Sequence, residues 1–447
     1  MAAINIRTAT VTDGILTCTS SPGDEIQIQL DDIVGVVQIP EHDRGYNVLF
    51  VERGGPDDVN FPGRLTGVPI SSLPSSLSHL MTEVPSYLQH DAPVQVVVST
   101  RSGTGAASAV FQHIVRPFLA YLGLNHEVYE TQSSQTILEL SQSRFLKHAC
   151  AGKPQTILLL SGDGGLIDIV DVFYKSSRSI EVPPNIALIP CGTGNAMASS
   201  IGLRNGPASG LVTLLRGTPC SVPILTAKVS PGGQLVIDEG HGRAPIDVQP
   251  DLPHHTIYGA VVASWGLHAT LVADSDTSEY RKFGSERFQM AAKELLYPSD
   301  NTEPHRFQGK ITLTTSSPQT GELREETLAA QEHMYVLATL VPRLEKEFLI
   351  SPASEPLGGQ LRLLQFGPVP AAEAMRLMTL AYQGGQHVAE PSVTYTEVER
   401  VRIEFQEEQE RWRRVCIDGK IVAIEAGGWL EICKEPRELL YLIYSKP

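Results

Sequence analysis

Thr156 to Gly165 reads TILLLSGDGG, and Asn185 to Asn195 reads NIALIPCGTGN. Each is an apolar run too short for a globular helix, ends in a glycine turn, and leads into a helical pattern: LIDIVDVFY after the first, AMASSIGL after the second. Short, wholly apolar strands alternating with helices specify a parallel sheet covered by helices on both faces. Upstream, VQVVVS (Val94 to Ser99) enters the turn Arg101-Ser102-Gly103-Thr104-Gly105, after which Val110, Ile114, Phe118 and Leu122 recur one helical turn apart. HEVYET, from His126, reads as a further helix. Residues 92–221 are therefore expected to form one α/β domain, with ligands beyond the carboxyl ends of its strands, where the glycine turns fall.

Past residue 222 the alternation fades. YGAVVASWG, KITLTT, MYVLATLV, QLRLLQFG, RVRIEF and WLEICK are apolar runs separated by turns. They predict a mainly antiparallel β-sandwich over 222–447. One helix interrupts it, PAAEAMRLMTLAYQGG, starting at a proline and stopping at Gly384-Gly385. Residues 230–255 read as a surface insertion. Ahead of the α/β domain, 1–91 holds five β-rich runs (INIRTATV, ILTCTS, EIQIQL, IVGVVQI, YNVLFVE), read as a small β-module for which a pleckstrin-homology-like fold is one reading. SSLPSSLS, Ser71 to Ser78, reads as its linker.

Composition narrows the partners. Of 447 residues, 42% are hydrophobic and 19% charged, enough to bury a core. The formal net charge of −15 argues against nucleic acid and against general attraction to an anionic bilayer. Six cysteines, at 18, 150, 191, 220, 416 and 433, form no CxxC pair and suit a reducing compartment. The N-terminus lacks a basic start followed by an apolar core, and no apolar run approaches the ~20 residues of a membrane span. A cytoplasmic protein with transient membrane contact is expected.

The three glycine turns carry the chemistry. Glycines let backbone approach a phosphate closely, and the helix that follows supplies free N–H groups. Alone, the 99–105 turn reads equally well as strand-to-helix geometry. In Ser161-Gly162-Asp163-Gly164-Gly165 a carboxylate sits between glycines at a strand end. That suits a magnesium ligand or a base for an attacking hydroxyl, with helix capping as the competing reading. Cys191-Gly192-Thr193-Gly194-Asn195 adds hydroxyl and amide groups to a backbone able to wrap phosphate.

SGDGGLIDIVDVFY and IPCGTGNAMASSIGL resemble the SGDG and PxGTGN motifs of the diacylglycerol kinase, sphingosine kinase and ceramide kinase superfamily. The likeness covers about 93–440 and leaves the N-terminal module outside. It implies an ATP site between an α/β nucleotide-binding domain and a β-sandwich, with magnesium, Asp163 as catalytic carboxylate, and Ser102, Gly103, Gly105, Gly162, Gly164, Gly165, Gly192, Thr193, Gly194 and Asn195 around the nucleotide. Thr131, in YETQS, falls where the family places a nucleotide-side threonine. Trp265-Gly266 through Arg281, Gly284 and Arg287-Phe288 is similar to a block of the sphingosine and ceramide kinases. Arg281 and Arg287 are then candidates for phosphoryl charge, and Asp274 and Asp276 for a sphingoid head group. On composition alone, EYRKFGSERF reads as a solvated charged helix. Asp418-Gly419-Lys420 resembles the family's DGE motif, with lysine for glutamate. Ser99-Thr100 stands where Asn-Pro is common.

The resemblance implies transfer of the ATP γ-phosphoryl to a sphingoid base, with diacylglycerol or ceramide as alternative acceptors. Two other classes remain open: an NAD kinase or phosphofructokinase, which share a GGDG-type turn, and a non-catalytic nucleotide- or lipid-binding homologue, suggested by Ser99-Thr100 and Lys420. His268, in WGLHAT, reads as a packed strand histidine, and Arg411-Trp412-Arg413-Arg414 as a sheet edge rather than a membrane contact.

Overall fold

The computed structural model describes the chain except residues 1–6, 21–22, 39–44, 53–62, 82, 90–91, 104, 204–205, 248–253, 285, 301, 318 and 447. Thr104 of the first turn and the start of INIRTATV thus lie outside the described residues.

The two quoted apolar runs form strands Thr156–Ser161 and Asn185–Pro190, paired in parallel at the centre of a six-stranded sheet. Its order across is Thr218–Ser221, Tyr441–Tyr444, Asn185–Pro190, Thr156–Ser161, Val94–Val98, His126–Glu130. Every residue of Val94–Val98 and Thr156–Ser161 is buried, which is why these strands are mostly apolar, with buried Gln95 hydrogen-bonded to Gln155 and Arg144. The Asp163–Lys175 helix packs on one face, with Leu166, Ile169, Val170 and Phe173 essentially inaccessible. The other face carries Val110, Ile114 and Phe118, from the helical run after the first turn, and Leu211 and Leu214 from Pro207–Arg216.

HEVYET corrects its helical reading: His126–Glu130 is a strand, paired in parallel with Val94–Val98 at the sheet edge. The boundary at 222 also needs amending. Tyr441–Tyr444 returns to the first sheet, parallel to Asn185–Pro190 and antiparallel to Thr218–Ser221. The last strand of the chain therefore completes the α/β domain, not the sandwich.

Between these, the chain builds the expected two-sheet sandwich. One antiparallel sheet runs His255–Gly259, Ile224–Val229, Trp429–Glu435, Arg400–Phe405, Phe307–Ser316, Leu323–Thr327. The other runs Gly242–Pro245, Gln234–Ile237, Lys420–Ala423, Arg414–Ile417, Val262–Gly266, Tyr335–Thr339, Arg362–Phe366, Val393–Glu397. Trp265, Ile311, Val401, Ile403, Val415 and Leu430 fill the space between them. The 230–255 stretch is partly sheet: Gln234–Ile237 pairs with Gly242–Pro245 and with Lys420–Ala423. The helix in PAAEAMRLMTLAYQGG is Ala371–Tyr382, followed by Gly384 and Gly385 at φ 75° and 76°. WGLHAT changes from strand to helix at Gly266, so His268 lies in the helix Leu267–Asp274 rather than a strand.

The N-terminal segment forms two three-stranded sheets, Thr8–Thr12/Ile15–Thr19/Glu25–Gln29 and Ile33–Gln38/Tyr46–Glu52/Arg64–Ile70. The last strand was not expected, since RLTGVPI carries Gly67 and Pro69. As an edge strand it tolerates the missing N–H of Pro69. Val34, Leu49 and Leu65 share a core with Ile114 and Phe118, so this module is seated on the α/β domain. SSLPSSLS is likewise no free linker: Ser75–Leu80 is a 3-10 helix that buries Leu77 and Leu80. All six cysteines are free thiols.

Leu442 is fully buried in the returning strand. Leu442→Ala is expected to destabilise the protein by about 2–5 kcal/mol, read as a lower midpoint of chemical unfolding. An unchanged midpoint would show that the returning strand does not secure the α/β sheet.

Candidate functional site

The three turns meet. A Cβ added to Gly192 would lie 2.4 Å from the Gly162 Cα, and one added to Gly103 would lie 2.5 Å from the Cys191 carbonyl oxygen. Only residues without a side chain let these backbones touch, and Gly103 also has φ 56°. The Gly162 N–H donates to Ser102 Oγ at 2.9 Å, tying the first turn to the second. In the third, Asn195 takes a left-handed conformation at φ 47°. Its amide closes the loop on Gly192, accepting from the N–H at 2.9 Å and donating to the carbonyl at 2.7 Å.

Asp163 opens the Asp163–Lys175 helix but caps a different one. Its Oδ2 accepts from the Ala196 N–H at 2.6 Å and its Oδ1 from the Met197 N–H at 3.0 Å. These are the first amides of the Ala196–Ser200 helix, so the carboxylate joins the second turn to the third. Burial pushes its carboxyl above the ordinary range, and the two amide hydrogen bonds oppose that shift.

A cavity of about 550 Å³ lies where the α/β domain faces the sandwich. Asp163, Gly194, Asp418 and Gly419 line it, together with apolar side chains that include Leu271, Phe288, Phe348, Met375 and Met378. A larger cavity of about 660 Å³, beside residues 294–305, contains none of the glycine turns.

Asp418 and Gly419 form a two-residue hairpin with both φ angles positive, 48° and 86°, flanked by the pair Ile417 and Lys420. The Asp418 carboxylate accepts from three successive amides, Ala260 at 2.6 Å, Val261 at 3.2 Å and Val262 at 2.6 Å. Those amides turn away from the sheet, which breaks YGAVVASWG into two strands. Burial pushes the Asp418 carboxyl up to about 6 against these amides, with the nearby Asp163 charge adding in the same direction. Asp418 thus shapes the cavity wall by holding the 260–262 loop.

Lys420 forms an ion pair with Asp171, which is nearly buried on the Asp163–Lys175 helix and also lies 3.6 Å from Lys175. Asp168, one turn earlier, has its carboxyl pushed up to about 6 by burial, with Lys420 pulling the other way. The lysine at this position therefore joins the sandwich hairpin to the helix that starts at Asp163. Two aspartates inside the apolar run LIDIVDVFY were the signal that sequence reading passed over.

The remaining expected residues divide. Thr131 lies beside the first turn, its Oγ1 accepting the Thr100 N–H at 3.0 Å and its carbonyl accepting the Thr100 hydroxyl at 2.8 Å. Arg287 lines the cavity, and its Nε is buried without a hydrogen-bond partner. Arg281 is exposed and paired with Asp276 at 3.0 Å. Asp274 and Asp276 do not line this cavity: Asp274 pairs with Arg411 and Arg414, both at 2.8 Å, and Asp276 with Arg281 and Arg287. Arg413 is buried, donating to the carbonyls of Ile424 and Glu407, which makes 411–414 a structural clasp. His268 is buried against Ser264, and burial lowers its pKa to about 4, leaving it neutral. EYRKFGSERF splits into the short helix Ser278–Arg281 and the start of Glu286–Leu296.

The chain is similar to several known proteins. Residues 93–227 match the diacylglycerol kinase catalytic domain. Sphingosine kinase 2 of Arabidopsis thaliana is 23% identical over 362 residues, covering 73% of this chain and 68% of that protein. Sphingosine kinase 1 of Homo sapiens is 23% identical over 358 residues, covering 74% and 87%. A crystal structure from Bacillus anthracis str. Sterne, described as a candidate diacylglycerol kinase, superposes with a TM-score of 0.51 at 15% identity over 79% of this chain and 97% of that one. That likeness is one of fold. Among the described residues no helix is long and apolar enough to cross a membrane.

Two substitutions probe the site's construction. Gly192→Ala forces the second and third turns apart, and is expected to weaken ATP binding on the order of tenfold or more by calorimetry; unchanged affinity would separate the turns from the nucleotide. Lys420→Met leaves Asp171 with only Lys175, and is expected to destabilise the protein by up to about 3 kcal/mol in chemical unfolding. No change would mean the ion pair does not hold the two domains together.

Proposed function

We propose that this chain, an ATP-dependent lipid kinase by its catalytic-domain match and its relatives, transfers the γ-phosphoryl group of ATP to a hydroxyl of a sphingoid base. One observation carries the reading. Asp163 touches the third glycine turn with its carboxylate and lines the apolar cavity as well, so one side chain borders both a phosphate-sized backbone cradle and a lipid-sized space. The names of the relatives, sphingosine kinases in a plant and a mammal, support a sphingoid acceptor over diacylglycerol.

The residues present fit a nucleotide. Gly164 has open space where a Cβ would stand, and Gly194 would meet only the Leu344 carbonyl oxygen at 3.8 Å, so the second and third turns present uncovered backbone. Bound ATP with its magnesium supplies the transferred group. Asp163 is the carboxylate beside the turns that would help hold magnesium, which would supply charge neutralisation to the phosphates. The backbone of Ser102, Gly103 and Gly105, of 162–165 and of 192–195 holds the phosphates. Arg287, which lines the cavity with its Nε unpartnered and its Nη1 3.5 Å from Asp276, is the cation assigned to the charge that spreads over the transferring group. Each Asp163 oxygen accepts one amide and keeps a further lone pair for the substrate proton. The carboxylate orients the lipid hydroxyl and accepts its proton as the new P–O bond forms, the bond from the γ-phosphorus to the β,γ-bridging oxygen breaks and ADP leaves. Apolar walls exclude water from this step.

Asp163→Asn is expected to lower turnover by about 10²–10⁴-fold in a radiolabelled-ATP assay on a panel of sphinganine, ceramide and diacylglycerol. The asparagine amide can satisfy only one of the two capping amides, which costs about 1 kcal/mol and leaves the fold intact. Near-normal turnover by the folded variant would end the assignment. Because burial raises the Asp163 carboxyl, its ionised form is lost as pH falls. The acid limb of the wild-type rate profile should therefore lie above the ordinary aspartate value of about 3.9; a limb at or below that value would contradict the role.

A further inference from the structure

Asp274 and Asp276 do not line the cavity and already face arginines, Asp274 with Arg411 and Arg414, and Asp276 with Arg281 and Arg287. The cavity does hold a further acid. Glu345 lines it from the segment between strands Tyr335–Thr339 and Arg362–Phe366. The neighbouring Leu344 lines it too, and its carbonyl oxygen lies 3.8 Å from where a Cβ on Gly194 would stand. Residues 344–345 thus sit against the third glycine turn, near the reacting end of the cavity.

The three cavity acids differ in what they already hold. Asp163 accepts two backbone amides and Asp418 three. Glu345 accepts one hydrogen bond, from the Tyr382 hydroxyl at a long 3.3 Å, and forms no ion pair among the described residues. Its burial raises its carboxyl above the ordinary range, and the Tyr382 hydroxyl only partly offsets that. The cation that shares the cavity, Arg287, is turned to Asp276 at 3.5 Å. Glu345 is a desolvated acceptor in an apolar space, still lacking a cationic partner.

We infer that Glu345 binds the ammonium group of the lipid and so selects amine-bearing sphingoid bases over N-acylated or neutral lipids. This rests on the lipid-kinase reading above and names how that site chooses its substrate. An ammonium gives Glu345 charge-assisted hydrogen bonds, stronger than the single tyrosine contact. A ceramide or diacylglycerol leaves the carboxylate either ionised and unpaired in an apolar wall or protonated, and both carry a penalty. A site built to hydrogen-bond one group rejects the analogue that lacks it far more strongly than an apolar pocket rejects an extra methylene.

The test is a comparison of KM and kcat for wild type, Glu345→Gln and Glu345→Asp, with sphinganine and with ceramide in the same mixed micelles. Glu345→Gln should raise the sphinganine KM about 10- to 100-fold with kcat within about threefold. Glu345→Asp should recover part of that loss, and the ceramide KM should not rise in either variant. An unchanged sphinganine KM in Glu345→Gln overturns the inference while leaving the kinase reading in place. So does an equal rise for both lipids, which marks a structural role. A wild type that phosphorylates no sphingoid base overturns the sphingoid reading itself, and the inference falls with it.

Discussion

The contact between the backbones of Gly162 and Gly192 is the constraint on which the site depends. Two adjacent parallel strands, both buried on both faces, deliver their following turns to the same edge of the sheet. Side chains there would hold those turns apart, and glycine lets them close until a methyl on either would clash with the other. Once they are closed, the Asp163 carboxylate reaches the amides of Ala196 and Met197, and Ser102 reaches the Gly162 amide. The capping role and the proposed chemical role of Asp163 are then one arrangement. The amides that fix the carboxylate hold it at the cavity wall.

The sandwich must stand at a fixed distance for that cavity to exist, and two polar devices set it. Asp418 gathers the amides of 260–262 into one carboxylate, folding the loop that forms part of the wall. Lys420, two residues on, pairs with Asp171 on the helix begun by Asp163. A buried pair of this kind adds little net stability over an apolar contact, but breaking it leaves a charge unsatisfied, so it specifies one alignment of the two units. The returning strand Tyr441–Tyr444 ties the end of the sandwich back into the α/β sheet.

Much of this was legible in residues 93–200, because wholly buried strands and glycine turns leave a pattern that few other structures produce. The sandwich showed through its apolar runs, and the 371–382 helix through its proline and glycine ends. HEVYET misled because an edge strand that is only half buried, with polar residues at most positions, lacks the apolar signature of its neighbours. RLTGVPI misled because proline and glycine are tolerated at a sheet edge. The pairing of the expected head-group acids was hidden for a different reason. Motif position shows that Asp274 and Asp276 are near the site, but not that Arg281, Arg287, Arg411 and Arg414 converge on them from residues up to 140 positions away. Glu345 had no sequence signal at all, since its neighbours in the cavity come from helices and loops scattered between 163 and 419.

Hydrogen–deuterium exchange with and without magnesium-ATP tests the common nucleotide cradle most directly. The account requires amides at 102, 103 and 105, at 162–165 and at 192–197 to gain protection together when the nucleotide is added. Protection confined to one turn, or appearing elsewhere while all three stay unchanged, would contradict it.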